Sequence, residues 1–320
     1  MKHLDPFDPK PKIKKNILPE NPEVAKEGSI VGPGRFPSWL HRKLPKGDVL
    51  WDTNKILEKD HLPTVCEEAK CPNLLECFSK KTATFLTMGK ECTRNCGFCD
   101  IDFSTAPKPL DPKEPEKIAD ASKKLGLRHV VLTQVARDDL PDGGASHLAK
   151  IIAKLRQEIP EGSVEVLTSD FEGNLEAIDQ IISTDLKIFN YNLDTVRELT
   201  PRVRHKATYE RTLSILKYVK EKAPHLLVQS GIMVGLGETK AQVFEALEDL
   251  QKAGCDIVTI GQYLQPNRKK LRVKAFITPL EFEEYAQYGR KIGIKFMHSG
   301  PFVRSSYNAD LVHRKFKENQ

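Results

Sequence analysis

From residue 82 onward the chain alternates short apolar β-type runs with amphipathic stretches of helical period, and that alternation fixes the class of fold. "TATFLTMG" reads as a strand, and "EPEKIADASKKLG" as a helix ended by a glycine cap. "LRHVVLT", "SVEVLT" and "LKIFNYN" are further strands, with "HLAKIIAKLRQEI" and "NLEAIDQIIS" as the helices between them. "YERTLSILKYVKEK", "LLVQSGIMVG", "AQVFEALEDLQKAG", "DIVTIGQYL", "LEFEEYAQYGRKIG" and "IKFMHS" continue the pattern. Near-continuous apolar strands separated by helices make βαβ units on a parallel sheet. Six or seven units are too many for a small open sheet and too few for a closed eightfold barrel. The expected fold is α/β, an open, partial (β/α)6-type barrel.

In such a barrel the segments after the strands share one rim, where chemistry is built. Those segments here are "KECTRNCGFCD", "TQVARDDLPDGG", "TSDFEG", "NYNLDT", "GLGET" and "GQYLQPN". Ahead of the barrel, residues 1–47 carry eight of the 21 prolines and read as an extended arm. "GDVLWDTNKILEKDHL" then offers one short amphipathic helix. The expected division is an N-terminal extension over 1–80, a barrel over 81–297 and a C-terminal segment over 298–320.

No apolar run approaches bilayer length, and the amino terminus has prolines and acids where a signal peptide needs an apolar core. A cytoplasmic protein with no membrane partner is expected, although an organelle protein whose presequence has been removed would read the same way. The net charge of +6 is mild, and the basic residues read as spread along the chain. With two tryptophans and no aromatic residues interleaved with a basic stripe, nucleic acid is not an expected partner; an acidic protein is as plausible.

In a reducing compartment clustered cysteines point to metal or redox chemistry, and six of the seven fall between residues 66 and 99. Cys255 stands alone in "AGCDIVTI" and reads as a small buried core residue. Directly after the first strand come Cys92, Cys96 and Cys99, spaced C-x3-C-x2-C. A structural zinc site and the usual iron–sulfur cages take four protein ligands, and an open position marks a catalytic site. A zinc ribbon would show two C-x2-C pairs, whereas this chain has one. Gly97, in "NCGFC", is expected to let the backbone bend tightly around an inorganic core. A second triplet, Cys66, Cys71 and Cys77, is spaced C-x4-C-x5-C.

The first triplet, in this context, resembles the radical SAM superfamily. The resemblance implies a 4Fe–4S cluster whose open iron binds S-adenosylmethionine, with Phe98 helping to seat the adenine, and hydrogen abstraction by a deoxyadenosyl radical. The second triplet, together with "GPFVRSSYNAD", is similar to the lipoyl synthase family, and the likeness runs from about residue 30 to residue 312. It implies a second 4Fe–4S cluster on Cys66, Cys71, Cys77 and Ser306, consumed as it donates two sulfurs to an octanoyl-lysine. A hard serine oxygen in a soft thiolate cage suits a cluster that must open. Thr133 and Gln134 are implied as contacts of the cofactor's amino acid moiety, and Arg137, Asp138 and Asp139 as a structural or partner-facing turn. The implied partners are octanoylated lipoyl-domain proteins (2-oxoacid dehydrogenase subunits, the glycine cleavage carrier), an electron donor such as flavodoxin or ferredoxin, and an iron–sulfur carrier for cluster repair. The chain departs from the family pattern at Tyr191 and Asn308, where histidines are usual, so neither histidine serves as a required acid or base here. The rivals are a radical SAM methylthiotransferase acting on RNA and a colourless, cysteine-rich zinc module binding nucleic acid.

Overall fold

Three helices precede the sheet: α1 (Val49–Lys59), α2 (Val65–Glu68) and α3 (Leu74–Ser79). They belong to a computed structural model that describes residues 36–41, 49–59 and 61–307. Most of the proline-rich stretch lies outside the described residues, while α1 occupies the place expected for the short amphipathic helix. Thr53 of α1 donates to the carbonyl of Phe78 (2.8 Å), and both residues are fully buried, which fastens α1 to α3.

β1 (Thr84–Thr87) begins the main sheet, and β2 (Glu91–Cys92) and β3 (Asp102–Phe103) then form a separate two-stranded parallel ribbon. There follow α4 (Glu114–Leu125), β4 (His129–Gln134), α5 (Ala145–Glu158), β5 (Ser163–Leu167), α6 (Leu175–Ile182) and β6 (Ile188–Asn190). The chain continues with α7 (Thr200–Val203), α8 (Tyr209–Lys222), β7 (Leu227–Val234), α9 (Lys240–Lys252), β8 (Ile257–Gln262), α10 (Pro279–Lys291) and β9 (Phe296–Gly300). Every strand expected from the apolar runs is present. The β2–β3 ribbon and the short helices α2, α3 and α7 were not expected.

The seven main strands are all parallel and lie in the order β1-β4-β5-β6-β7-β8-β9, without reversal. Right-handed crossovers taken always in one direction put every helix on one face. A sheet covered on one face by sequential helices curls its other face inward, and the partial barrel follows. Val164 and Val166 of β5 join the core with helix residues such as Ile151, Ile152 and Ile178. Large apolar side chains buried this fully contribute roughly 1.5–3 kcal/mol each.

Glu165, between those valines, points to the other face, because strand side chains alternate. There its carboxylate accepts from Asn190 Nδ2 (3.0 Å) and Gln229 Nε2 (3.4 Å), and lies 3.3 Å from His129 Nε2. The interior of the barrel is therefore polar at its centre, and Gln229 carries that network onward to the carbonyl of Ser305 (2.8 Å). The helices end as their sequences direct. α4 stops at Gly126 in the left-handed conformation, and α9 and α10 open on capping boxes from Thr239/Gln242 and Thr278/Glu281.

Candidate functional site

The exit of β1 is fixed first. Met88 takes a left-handed backbone (φ 68°), and its N–H donates to both oxygens of the buried Glu114 carboxylate (3.0 and 3.1 Å). Glu114 is met from behind by His147 Nε2 at 2.6 Å. The chain then enters the C-x3-C-x2-C loop, whose base is closed by the β2–β3 ribbon: Cys92 sits on β2, and Cys99 lies three positions before the first residue of β3.

Inside the loop, Thr93 N–H and Oγ1 both donate to the carbonyl of Ala136 (3.0 Å each), and Asp138 N–H donates to Thr93 Oγ1 (3.0 Å). Arg94 forks onto Asp138 (2.8 and 2.9 Å) and reaches Asp170 (2.6 Å), which Arg211 also holds (3.0 Å). Gly97 donates to the carbonyl of Val203 (2.8 Å) and accepts from Leu271 N–H (2.9 Å). Loops from four different strands thus hold this one in shape. Asp138 is a structural member of that clamp, as the charged turn suggested. The glycine expectation needs correcting. Gly97 has no left-handed backbone; it is small because a Cβ there would press on Leu271 at 3.0 Å and on the Arg202 carbonyl at 3.3 Å.

Burial alone would raise the Asp138 and Asp170 carboxyls, but hydrogen bonds and charge from Arg94 hold both below the usual carboxylate range. A depressed carboxylate stabilises the fold at any pH above its unfolded value, near 4, and loses that contribution only as pH falls through its folded value. Arg94→Ala leaves these acids short of a partner at a site where Asp170 is fully buried, and should cost about 3–5 kcal/mol. Denaturant unfolding should show the full gap between variant and parent at roughly pH 8 and a smaller one toward pH 4, where the acids left buried without Arg94 take up protons in the folded variant. A gap that stayed constant across that window would assign the stabilisation to another group.

The second triplet spans α2, the turn after it and α3. Cys66 lies in α2, whose N-cap is Thr64, and the N–H of Cys71 donates to the carbonyl of Cys66 (2.9 Å). The C-terminal segment is tied to this unit twice: Asn73 Nδ2 donates to the Phe302 carbonyl (2.8 Å), and Tyr307 Oη donates to Glu76 (2.9 Å). The barrel holds the same segment from the other side. Ser305 Oγ donates to Asn192 (2.8 Å), Gln229 donates to the Ser305 carbonyl, and the Tyr307 ring stacks on His298 (5.9 Å between centroids). Close approach at β8 requires Gly261, where a Cβ would lie 2.1 Å from the Val303 oxygen.

These tethers enclose a mostly apolar chamber of about 400 Å³. Cys66, Cys71 and Cys77 line it together with Phe98, Cys99 and Ser306. Cys92 and Cys96 do not line it, but the three thiols of the loop are close enough that the charges of Cys92 and Cys99 act on Cys96 and that of Cys92 on Cys99. Thr133 and Gln134 do not line the chamber; they end β4 beside β1, with Gln134 Nε2 donating to Ser169 (2.8 Å). Tyr191 is buried away from the chamber under the Arg204 guanidinium (5.5 Å), and Asn308 lies outside the described residues. Cys255 is core, as expected, and burial raises its thiol.

Asn192 and Asp194, by contrast, line the chamber and were not singled out from the sequence. Asp194 holds a left-handed backbone (φ 65°), unusual outside glycine, and Arg204 donates to its Oδ2 (3.0 Å). Burial raises its carboxyl and Arg204 opposes the shift.

Nearby cations, Lys80 at Cys77, Arg204 at Cys96 and Lys270 at Cys99, do not offset the burial of the thiols. Burial first, then the charge of neighbouring thiols, pushes Cys66 and Cys77 up to about 12. Burial likewise pushes Cys96 up to about 12 and Cys99 to about 11, with Asp194 and the other thiols of the loop adding to it. Thiols as buried as Cys66, Cys77, Cys96 and Cys99 ionise around a cationic core, and a cysteine triplet of this kind is the donor set of an iron–sulfur cage. Among the described residues no three His, Cys, Asp or Glu side chains are arranged to share one metal ion. A cubane, whose irons each take their own thiolate, does not need that convergence. The residues fit two such groups.

A family model described as the radical SAM superfamily matches residues 86–250. The chain is 62% identical to the lipoyl synthase of Protochlamydia amoebophila, over 93% of this chain and 92% of that one. It is 52% identical to the lipoyl synthase of Chlamydia felis, over 89% and 91% respectively. In fold it is similar to the crystal structure of Streptococcus suis SuiB bound to the precursor peptide SuiA (TM-score 0.54, 12% identity, 82% of this chain and 55% of that one). With two cysteine triplets on one partial barrel and relatives this similar along nearly its whole length, the chain belongs to the lipoyl synthase family of the radical SAM superfamily.

Proposed function

We propose that the two triplets divide the work of a lipoyl synthase: Cys92, Cys96 and Cys99 hold the cluster that opens S-adenosylmethionine, and Cys66, Cys71, Cys77 and Ser306 hold the one that yields sulfur. The enzyme converts octanoyl-lysine on lipoyl-domain proteins to lipoyl-lysine, with S-adenosylmethionine and two 4Fe–4S clusters as cofactors. When bound, these groups supply a hydrogen-abstracting radical from the cofactor and sulfur atoms from the second cluster. One observation carries the assignment: Cys99 and Phe98 open onto the same chamber as Cys66, Cys71, Cys77 and Ser306.

The chain's own part is placement and exclusion. Apolar walls accept a hydrocarbon chain and keep water from a reactive carbon. Because a hydrogen atom moves rather than a proton, no side chain has to act as a base. Gln134 Oε1 is a buried acceptor without a hydrogen-bond partner among the described residues, which supports its reading as a contact for the cofactor's amino group, with Thr133 beside it. The division into an extension over 1–80, a barrel over 81–297 and a closing segment over 298–320 belongs to the same proposal. So do a cytoplasmic setting, the carriers of the 2-oxoacid dehydrogenases and of glycine cleavage, a flavodoxin- or ferredoxin-type donor and an iron–sulfur carrier. Among the described residues no helix is long and apolar enough to cross a membrane. The RNA methylthiotransferase alternative is not favoured, since relatives similar along most of the chain are lipoyl synthases.

Anaerobic, reconstituted protein given an octanoylated lipoyl domain, S-adenosylmethionine and dithionite should replace two hydrogens of the octanoyl chain by sulfur, read by intact mass. One 5′-deoxyadenosine should appear for each C–H bond opened. Cofactor cleavage with a carrier that never gains sulfur would refute the function.

A further inference from the structure

Residues 267–274, "NRKKLRVK", hold five cations and no acid, a local block that corrects the reading of basic residues as spread along the chain rather than gathered. The segment has no regular secondary structure but is pinned throughout. Asn267 bonds to Asp100, Gln265 donates to the Lys270 carbonyl (2.9 Å), Tyr263 Oη to the Leu271 carbonyl (2.7 Å), and Lys274 N–H to the Gly235 carbonyl (2.8 Å). Lys270 turns inward to Asn95 (3.1 Å). Arg268, Lys269, Arg272 and Lys274 are exposed and enter no salt bridge among the described residues, and neither does Arg202 beside them. Elsewhere on this surface many exposed lysines meet an acid, as Lys70 meets Asp100 (2.7 Å) and Lys295 meets Asp256 (2.7 Å). A rigid backbone displaying unpaired cations is arranged for an acidic partner.

Position says which partner. Leu271 and Phe98 pack against the same cluster of Val203, Leu236 and Tyr263, and Leu271 donates its N–H to the carbonyl of Gly97, the residue bonded to Cys96. Phe98 and Cys99 face the chamber, while Leu271 and the four free cations do not line it. The cysteine loop thus has the chamber on one side and the basic segment on the other. Electrons must arrive while substrate and cofactor fill the chamber, so their entry is from outside the loop. We propose that Arg268, Lys269, Arg272 and Lys274, with Arg202, form the docking face for an acidic protein carrying a one-electron flavin or iron–sulfur centre. The idea rests on the assignment of Cys92, Cys96 and Cys99 to the cofactor-opening cluster. At this face the donor loses one electron, the cluster gains one, and no bond is made or broken. A small, charged, transient interface is usual for such encounters.

The test uses the full-length, cluster-loaded enzyme, its Lys269→Glu/Arg272→Glu variant, and a strongly acidic flavodoxin as probe. Association, followed by biolayer interferometry at about 50 and 200 mM salt, should be roughly tenfold or more weaker in the variant and less dependent on salt. Absorbance bleaching of the cluster by reduced flavodoxin should slow by a like factor. Bleaching and lipoyl formation driven by dithionite should be unchanged. Unchanged flavodoxin association would overturn the proposal. So would a loss confined to affinity for the octanoylated carrier, which would make the face a substrate dock. If dithionite failed to drive cofactor cleavage in the parent enzyme, the division of labour between the triplets would fall, and flavodoxin association would still decide the docking face.

Discussion

Cys96→Ala should make neither 5′-deoxyadenosine nor lipoyl product, whereas Cys71→Ala should still release 5′-deoxyadenosine while making no lipoyl group. The asymmetry follows from where the two thiols sit. Cys96 lies in a loop already clamped by Thr93, Arg94 and Gly97, so removing one thiol leaves the loop in place and takes away only a ligand. Without that cluster no electron reaches the cofactor. Cys71 belongs to a separate unit of short helices, and its loss leaves the barrel loop untouched. Both products should be counted by mass spectrometry in one anaerobic reaction, after circular dichroism has shown both variants folded. Equal loss of cofactor cleavage in the two would show that the triplets do not divide the work.

Ser306 carries the second large effect. The segment around it is held by its neighbours, through the Ser305 carbonyl, Ser305 Oγ and Tyr307, so changing Ser306 should not dislodge it. Ser306→Ala removes a hard oxygen ligand and should leave a cluster that forms but is damaged easily. Ser306→Cys substitutes a soft thiolate and should give a sturdier, closed cage that resists losing iron. Both variants should cleave S-adenosylmethionine at the parent rate and make little product in a single turnover, with iron content checked beforehand. Parental product yields from a fully loaded Ser306→Cys enzyme would mean that lability of the serine ligand plays no part.

What the sequence made legible was whatever has a local period or spacing. The seven main strands and the helices between them announce themselves through apolar runs and a 3.6-residue stripe, and the two triplets through their spacing. The β2–β3 ribbon was invisible because strands of two residues have no pattern to read. α2 and α3 were hidden because Pro72 divides them and cysteines fill their apolar positions. The remaining features depend on contacts between distant residues. The clamp of Arg94 on Asp138 and Asp170, the packing of Gly97 on Leu271 and that of Gly261 on Val303 exist only once the loops share a rim. Asp194 escaped because its role depends on a left-handed backbone and on Arg204, neither of which a motif encodes.

Iron and sulfide analysis of anaerobically purified protein tests most directly whether one chamber holds two cages. The parent enzyme should carry about eight irons and eight sulfides per chain, and the Cys66→Ala/Cys71→Ala/Cys77→Ala variant about four of each, while still cleaving S-adenosylmethionine. About four irons in a fully active parent enzyme, or loss of cofactor cleavage from the folded variant, would contradict the account.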